Sequence, residues 1–459
     1  MSTATYLVGD VFRVMAEMPD QSVDLILTSP PFLALRSYLP HGHPNKDLEI
    51  GSEPSPAEFL NTLLALTAEW ARLLTPTGSI AVELGDTYSG SGGAGGDYQQ
   101  GGTRAGQGKA EGSANRQRIS PPKTAHRLNA DGTTKHNSTR RRAEPKNQPM
   151  TLPQTGGQGW PLPKSMCMIP HLYAASLAYG VNILTGEPSP AGMWRVRNVV
   201  AWCRPNPTVG ALGDKLRPAT SFMVIATMSA DRWFDGHAAR VPASPNTNAR
   251  TAASVPKRDN TTKTPPESGR STLAIQHTSG NTRPPYDHVG LMEGEEDLFT
   301  EDAWLISPES YSGSHYATWP RKLLTQPITT MCPRQVCTTC GEPRRRIIEP
   351  TSEYAAKLGA MFSEAGRDRS ERDRAGKSRT DGRGVTRVNA EFETTGWTDC
   401  GHNSWRPGHV LDPFGGSGTT GAVATGLGRD CTLIDLDERN LDLARERIGL
   451  FLTTQETAA

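Results

Sequence analysis

Two short stretches at opposite ends of this 459-residue chain carry residues able to do chemistry. Near the start, Thr28-Ser29-Pro30-Pro31-Phe32 offers a hydroxyl, a carbonyl held between prolines and an aromatic face. Such a set suits an exocyclic amine on a nucleobase. That amine is a poor nucleophile, because its lone pair is delocalised into the ring. Acceptors that hold its hydrogens turn the nitrogen towards tetrahedral geometry, and the Ser29 oxygen with the Pro30 carbonyl can do this. The two prolines fix the backbone, which preorganises the acceptor. Phe32 gives an extruded base a surface to stack on. Taken alone, Pro30-Pro31 reads equally well as the end of a strand.

Near the other end, His409-Val410-Leu411-Asp412-Pro413-Phe414-Gly415-Gly416-Ser417-Gly418-Thr419-Thr420 is a strand entering a glycine-rich turn and then a helix. Gly416 and Gly418 let the backbone approach a ligand where a Cβ would collide, and the helix start offers unpaired N–H groups. Asp412 stands at the strand end, where a carboxylate can take an ammonium group. A second strand, Cys431 to Ile434, ends in Asp435, which can accept both hydroxyls of a ribose. The dinucleotide pattern G-x-G-x-x-G is absent, and Asp-Pro-Phe is no phosphate-binding context. An ammonium-binding carboxylate suits a methionine moiety better than a pyrophosphate.

A third group is metal-like. Cys337-Thr338-Thr339-Cys340 is a C-x-x-C knuckle, and Cys400-Gly401-His402 follows just before the glycine-rich block. Cys337, Cys340, Cys400 and His402 give four soft ligands suited to a closed structural zinc site. Cys332 or His409 could replace one of them. A redox pair is the rival reading, but the expected helix start is missing; unconnected thiols are the plain one.

These residues need a scaffold, and the hydrophobic pattern supplies one. Thr5–Val8, a helix over Val11–Met18 and the apolar run Val23–Thr28 read as a β-α-β unit, with the double proline at the C-terminal edge of its second strand. Helix Pro56–Leu74, a turn at Pro76-Thr77-Gly78 and strand Ser79–Leu84 follow. A helix over Met168–Tyr179, strands Asn198–Cys203 and Thr220–Met228, and a short helix Trp319–Thr329 come next, and Val410–Leu450 is β-α-β-α. Between them lie segments too polar to build a core, at 89–149, at about 242–285 and at 353–387. The first holds eleven Lys/Arg against three Asp/Glu from Arg104 to Lys146, including Arg140-Arg141-Arg142, a candidate phosphate grip. The whole-chain net charge of +1 gives no such hint.

The composition agrees with a core interrupted by inserts: 35% hydrophobic residues, 46 glycines and 36 prolines. Seven cysteines, no secretory pattern at Met1–Asp10 and no long apolar run point to a soluble cytoplasmic protein with reduced thiols, away from membranes.

In order along the chain, the motifs resemble those of the DNA amino-methyltransferases in which the catalytic motif precedes the cofactor motif, the permuted beta arrangement. The matching segments are Gly9-Asp10, Ser22–Phe32, Leu35–Tyr38, Leu84–Tyr88, Trp202–Pro207, Trp233–Asp235, His315–Pro320 and Asp412–Thr420 with Asp435. The resemblance implies a seven-stranded, mainly parallel α/β sheet of the S-adenosylmethionine-dependent type, circularly permuted, with long disordered inserts. It implies Ser29, Pro30, Pro31 and Phe32 as catalytic. It implies Asp10, His315, Asp412, Phe414, Gly416, Gly418, Thr419 and Asp435 as cofactor contacts.

The chain then divides into a catalytic half of the core at 1–88 and a basic insert at 89–149. Core continuation at 150–236 leads to a variable insert at 237–310, a candidate target-recognition region. A cofactor-contacting helix at 311–331, a zinc knuckle with charged insert at 332–408 and a cofactor-binding half at 409–459 complete it.

The expected substrate is double-stranded DNA, and Ser-Pro-Pro leans the reading to cytosine N4. Adenine N6 is the nearest rival. RNA or protein methylation is disfavoured by the lack of Asn-Pro-Pro-Tyr, and C5 of cytosine by the lack of any Pro-Cys dipeptide. A silent DNA-binding scaffold would not need Ser29, Phe32, Asp412 and Asp435 together. A homodimer and a cognate restriction endonuclease stand as open partner expectations.

Overall fold

The structure, a computed structural model, describes residues 2–35, 38–39, 42–89, 159–207, 215–238, 302–309, 319–353, 355–356 and 392–454. Most of the runs that sequence reading expects to be disordered (90–149, 242–285 and 357–387), with Arg140–Arg142 and His315, lie outside them.

In chain order the strands are β1 (Ala4–Val8), β2 (Val23–Thr28), β3 (Leu74–Leu84), β4 (Arg195–Cys203), β5 (Thr220–Thr227), β6 (Ala303–Leu305) and β7 (Gln335–Cys337). They continue with β8 (Arg346–Pro350), β9 (Phe392–Trp397), β10 (Trp405–Pro407), β11 (His409–Asp412), β12 (Asp430–Asp435) and β13 (Leu452–Thr454). The helices are α1 (Val11–Glu17), α2 (Pro56–Leu73), α3 (Ile169–Tyr179), α4 (Arg321–Met331), α5 (Thr419–Gly426) and α6 (Arg439–Ile448).

One large sheet runs β13-β1-β12-β11-β2-β3-β5-β4-β6. The pairings from β13 through β3 are parallel, and β5 runs against both β3 and β4. The seven strands expected from sequence form its body; the three-residue β13 and β6 extend the two edges. These short edge strands carry no strong apolar pattern, which is why periodicity passes over them.

Residues alternate across the pleat. Ile26 of β2 faces the layer of α1, α2 and α3, while Leu25 and Leu27 face α4, α5 and α6. Both faces of the sheet are thus covered, which explains why β2 reads as an unbroken apolar run. Helix α2 starts on a capping box: the Ser55 hydroxyl accepts from the Glu58 N–H at 3.3 Å and donates to the Glu58 carboxylate at 2.9 Å, with Pro56 in the first turn. The turn expected at Pro76-Thr77-Gly78 is instead an irregularity inside β3. Val23 lies opposite Leu74, but Leu25 lies opposite Ser79. The extra residues are bulged out, which lets one strand serve both ends of the pairing.

The topology positions the site. From β11 the chain crosses through α5 to β12, on one side; from β2 it crosses through α2 to β3, on the other. Strands β11 and β2 are neighbours, so the two connections diverge at their C-terminal ends and leave a crevice there. The two chemical motifs, hundreds of residues apart in sequence, both emerge into it. Among the described residues no helix is long and apolar enough to cross a membrane.

Candidate active site

A cavity of about 480 Å³ occupies the crevice. Its walls include Asp10, Ser29, Pro30, Pro31 and Phe32 from one end of the chain, and Phe414, Gly416, Thr419 and Asp435 from the other. The structure therefore brings these nine residues, from the two ends of the chain, to one cavity.

On the cofactor side, Asp435 ends β12 and holds the glycine turn in place. One carboxylate oxygen accepts from the Gly416 N–H at 2.8 Å; the other accepts from the Asp437 N–H at 2.8 Å and the Asn440 amide at 3.2 Å. Burial pushes its carboxyl up to about 6. Asp437 and Asn440 also line the cavity, and sequence reading passes over both. Gly416 has a φ of +49°. Its carbonyl accepts from the Tyr6 hydroxyl at 2.7 Å, so β1 also fixes the turn. Tyr6 is buried, and its hydroxyl is held protonated far above its ordinary range, chiefly by that burial. Asp10 caps α1, accepting from the Arg13 N–H at 3.1 Å, and its side of the cavity faces Asp435 across the β1–β12 pair. The Thr419 hydroxyl accepts from Arg447.

Two of the expected cofactor contacts stand off the cavity wall. Asp412 does not reach the cavity wall. It is 1% exposed, and its oxygens accept from the Thr28 hydroxyl at 2.7 Å, the Phe414 N–H at 3.1 Å and the Thr420 hydroxyl at 2.5 Å. Its place is to tie the end of β2 to the glycine turn and α5, and burial raises its carboxyl to about 6. These three bonds turn the carboxylate towards its own neighbours. Gly418 is likewise a packing residue. At φ +79° it begins α5, and a Cβ there would lie 2.9 Å from Ala444 of α6. The glycine is required by that close helix approach.

On the catalytic side, the Ser29 hydroxyl donates to Glu83 Oε2 at 2.6 Å. Glu83 projects from β3, the strand next to β2, and is 3% exposed. Burial raises its carboxyl above the ordinary glutamate range, against the pull of hydrogen bonds from Ser221 and Ser29 and of the Arg204 guanidinium. Arg204 donates to Ser221 at 3.0 Å and stacks 4.8 Å from the Trp202 ring centre. Both Trp202 and Arg204 line the cavity. Glu83 is the main residue that sequence reading misses. The available signal was a lone acid inside Ser79–Leu84, an otherwise apolar strand buried on both faces.

Phe32 lies across Gly85, where a Cβ would meet its ring at 2.5 Å. That contact gives the Leu84–Tyr88 segment its purpose. Gly85 makes room for the aromatic face, and Asp86 then accepts from the Met168 and Ile169 N–H groups at 2.8 and 3.2 Å, fixing the start of α3. Cys337, Cys340, Cys400 and His402 cluster away from the cavity. Neither expected substitute ligand joins them. Cys332 is wholly buried, and the His409 ring sits between the Ser22 carbonyl and the Thr432 hydroxyl at 2.9 Å each.

A family model described as DNA methylase matches residues 23–335 and 403–446. Among curated relatives, the type II methyltransferase M.Cfr9I of Citrobacter freundii is 38% identical over 19% of this chain and 28% of its own length. M.XycI of Xanthomonas campestris pv. cyanopsidis is 25% identical over 52% of this chain and 59% of its own length. M.SmaI of Serratia marcescens is 20% identical over 96% of this chain and 89% of its own. The chain thus spans less than two-thirds of the length of the first two. A solved structure described as PvuII DNA methyltransferase (cytosine-N4-specific) aligns over 97% of this chain and 86% of its own, at 12% identity and a TM-score of 0.42.

Proposed function

The chain belongs to the DNA methylase family, and from that premise we propose that it methylates the exocyclic amine of a base flipped out of double-stranded DNA, N4 of cytosine, using S-adenosylmethionine. The observation that carries this reading is the Ser29–Glu83 pair at 2.6 Å, set in one cavity with Phe32, the Gly416 turn and Asp435. S-adenosylmethionine, when bound, supplies an electrophilic methyl on a sulfonium.

The residues of the chain do the rest. Asp435, with Asn440 and Asp437 behind it, offers carboxylate oxygens to a ribose, and the Phe414 side chain and glycine turn close round the nucleoside. The Phe32 ring receives the face of the extruded base. Ser29 Oγ accepts one amine hydrogen while its own hydroxyl donates to Glu83, so the charge on Glu83 strengthens Ser29 as an acceptor. Transfer of that methyl, with loss of its bond to sulfur, would leave the amine nitrogen cationic. Its surplus proton passes to Ser29 as the Ser29 proton passes to Glu83. The raised proton affinity of buried Glu83 suits it to receive that proton. No covalent bond to the protein is needed.

Cytosine is favoured over adenine by the neutral Ser29 acceptor in the Ser-Pro-Pro context. The test is single-turnover transfer of labelled methyl to DNA, followed by nucleoside mass spectrometry. N4-methylcytosine is the expected product. N6-methyladenine would overturn the base assignment and keep the amine chemistry; label remaining off DNA would overturn the reading as a whole.

A further inference from the structure

Outside the cavity, one cluster of side chains has no part in the chemistry above. The sulfurs of Cys337, Cys340 and Cys400 and a ring nitrogen of His402 all lie within 4.8 Å of one another. None of the three cysteines is in a disulfide. A tetrahedral zinc with Zn–S bonds of about 2.3 Å sets its sulfurs roughly 3.8 Å apart, so the four atoms already surround a volume of the right size.

The backbone is built for this. Cys337 ends β7, which pairs antiparallel with β10, Cys337 lying opposite Trp405. After Cys337 the chain turns tightly. The Gly341 N–H donates to the Cys337 carbonyl at 3.0 Å, with Gly341 at φ +75°. The Thr339 N–H points at the Cys337 sulfur at 3.4 Å, the N–H···S contact that steadies a metal-bound thiolate. The second arm turns at Gly401, φ +82°, whose N–H is fixed by Asp399 at 2.7 Å. Two glycine-hinged turns thus present two ligands each to one point. The Thr338 N–H bond to the Ser404 carbonyl, 3.0 Å, laces the arms together.

We propose that Cys337, Cys340, Cys400 and His402 hold one structural zinc ion, which closes the neck of the excursion between the two arms and fixes it to the catalytic core. Four protein ligands leave no open coordination position, which marks a structural site and not a catalytic one. Its location agrees. The cluster precedes the N-terminal end of β11, whereas the cavity lies beyond its C-terminal end, about 13 Å further along four residues of strand.

Beyond the neck, among the described residues, β8 pairs with β9 and the pair docks through specific polar contacts. Arg346 grips the buried Asp235 carboxylate through Nε and Nη2 at 3.0 and 2.8 Å. The Trp233 indole donates to the Arg344 carbonyl at 2.9 Å. On the other side of the neck, Arg406 of β10 pairs with Asp24 of β2 at 2.6 Å. A Cβ on Gly408 would lie 2.0 Å from the Pro333 carbonyl, so the two arms cross in contact just before β11 begins. The hairpin is too small to bury a core of its own, and the apolar Ile347 and Ile348 on it are 40% exposed. A metal staple is the usual remedy for such a unit.

The test uses the full chain purified without added metal. Elemental analysis should find about one zinc per chain, and thiol modification should release it stoichiometrically. Cys400→Ser should lower zinc content about tenfold and speed proteolytic cutting between residues 341 and 399, whereas Cys203→Ser should keep wild-type zinc. Should Cys400→Ser fail to fold, wild-type zinc content and its release by thiol modification still decide. Wild-type protein lacking zinc, with all three cluster thiols freely titratable, would overturn the proposal. So would Cys400→Ser retaining a full equivalent.

Discussion

Glu83→Gln is expected to slow methyl transfer by about 10²–10⁴-fold, the usual contribution of a positioned acid–base group, while cofactor affinity stays at the wild-type value. Glutamine keeps the shape and can still accept from Ser29, but it carries no charge and takes no proton. The chemistry then lacks both the polarised Ser29 oxygen and the final acceptor. A pH profile separates this from mere structural damage. Glu83 works as a carboxylate, and burial lifts its protonation above the ordinary glutamate range. Wild-type turnover should therefore rise with pH through that raised value and then level off, and the limb should vanish in Glu83→Gln. Stability runs the other way. A carboxyl whose folded-state pKa is raised stabilises the fold only at low pH, and that contribution is lost as pH rises through the folded value. At neutral pH the glutamine variant should thus melt no lower than wild type. Single-turnover kinetics across pH and a melting curve check both halves, and undiminished turnover in Glu83→Gln would remove Glu83 from the mechanism.

Asp435→Ala is expected to weaken S-adenosylmethionine binding by about 10²–10⁴-fold. Two hydrogen bonds from ribose hydroxyls to a charged group are worth roughly 1.5–3 kcal/mol each. The alanine also frees the Gly416 N–H, now held at 2.8 Å, so the turn loses its anchor. Burial pushes the Asp435 carboxyl up to about 6, so the charged acceptor is present above that pH and lost below it. Wild-type affinity should fall as pH drops through about 6, and this dependence should flatten in the variant. Calorimetric titration at several pH values reads both effects. Wild-type affinity in Asp435→Ala would show that the nucleoside sits elsewhere.

Most of the body of the sheet was legible because buried parallel strands and amphipathic helices leave strong apolar patterns. The Ser29–Phe32 tetrapeptide, the glycine turn and the four clustered Cys and His residues were legible because their side chains are unusual for their positions. What stayed hidden was pairwise. Nothing in one dimension says that Glu83 on β3 comes to rest 2.6 Å from Ser29 on β2, since that follows from strand register. For the same reason the inward partners of Asp412 were not legible. A carboxylate at a strand end faces either the crevice or its own neighbours, and Thr28 and Thr420, which turn it inward, arrive from different elements. The packing demand at Gly418 was hidden because a tight helix crossing and a ligand approach call for the same residue.

The interleaving of the sheet has a consequence for how the protein comes into being. Strand β1 has β12 and β13 as its two neighbours, and β2 has β11 on one side. As the ribosome delivers the chain, the catalytic strand waits for residues beyond 408 before its ladder can be completed. Until then β1 and β2 hold apolar runs with open edges, exposed to mispairing. Long-range pairing of this kind also makes folding slow. A chain stopped at residue 408 should show little native sheet by circular dichroism and should aggregate. A partly made copy lacks the β11–β2 ladder, and with it the crevice that ladder holds open.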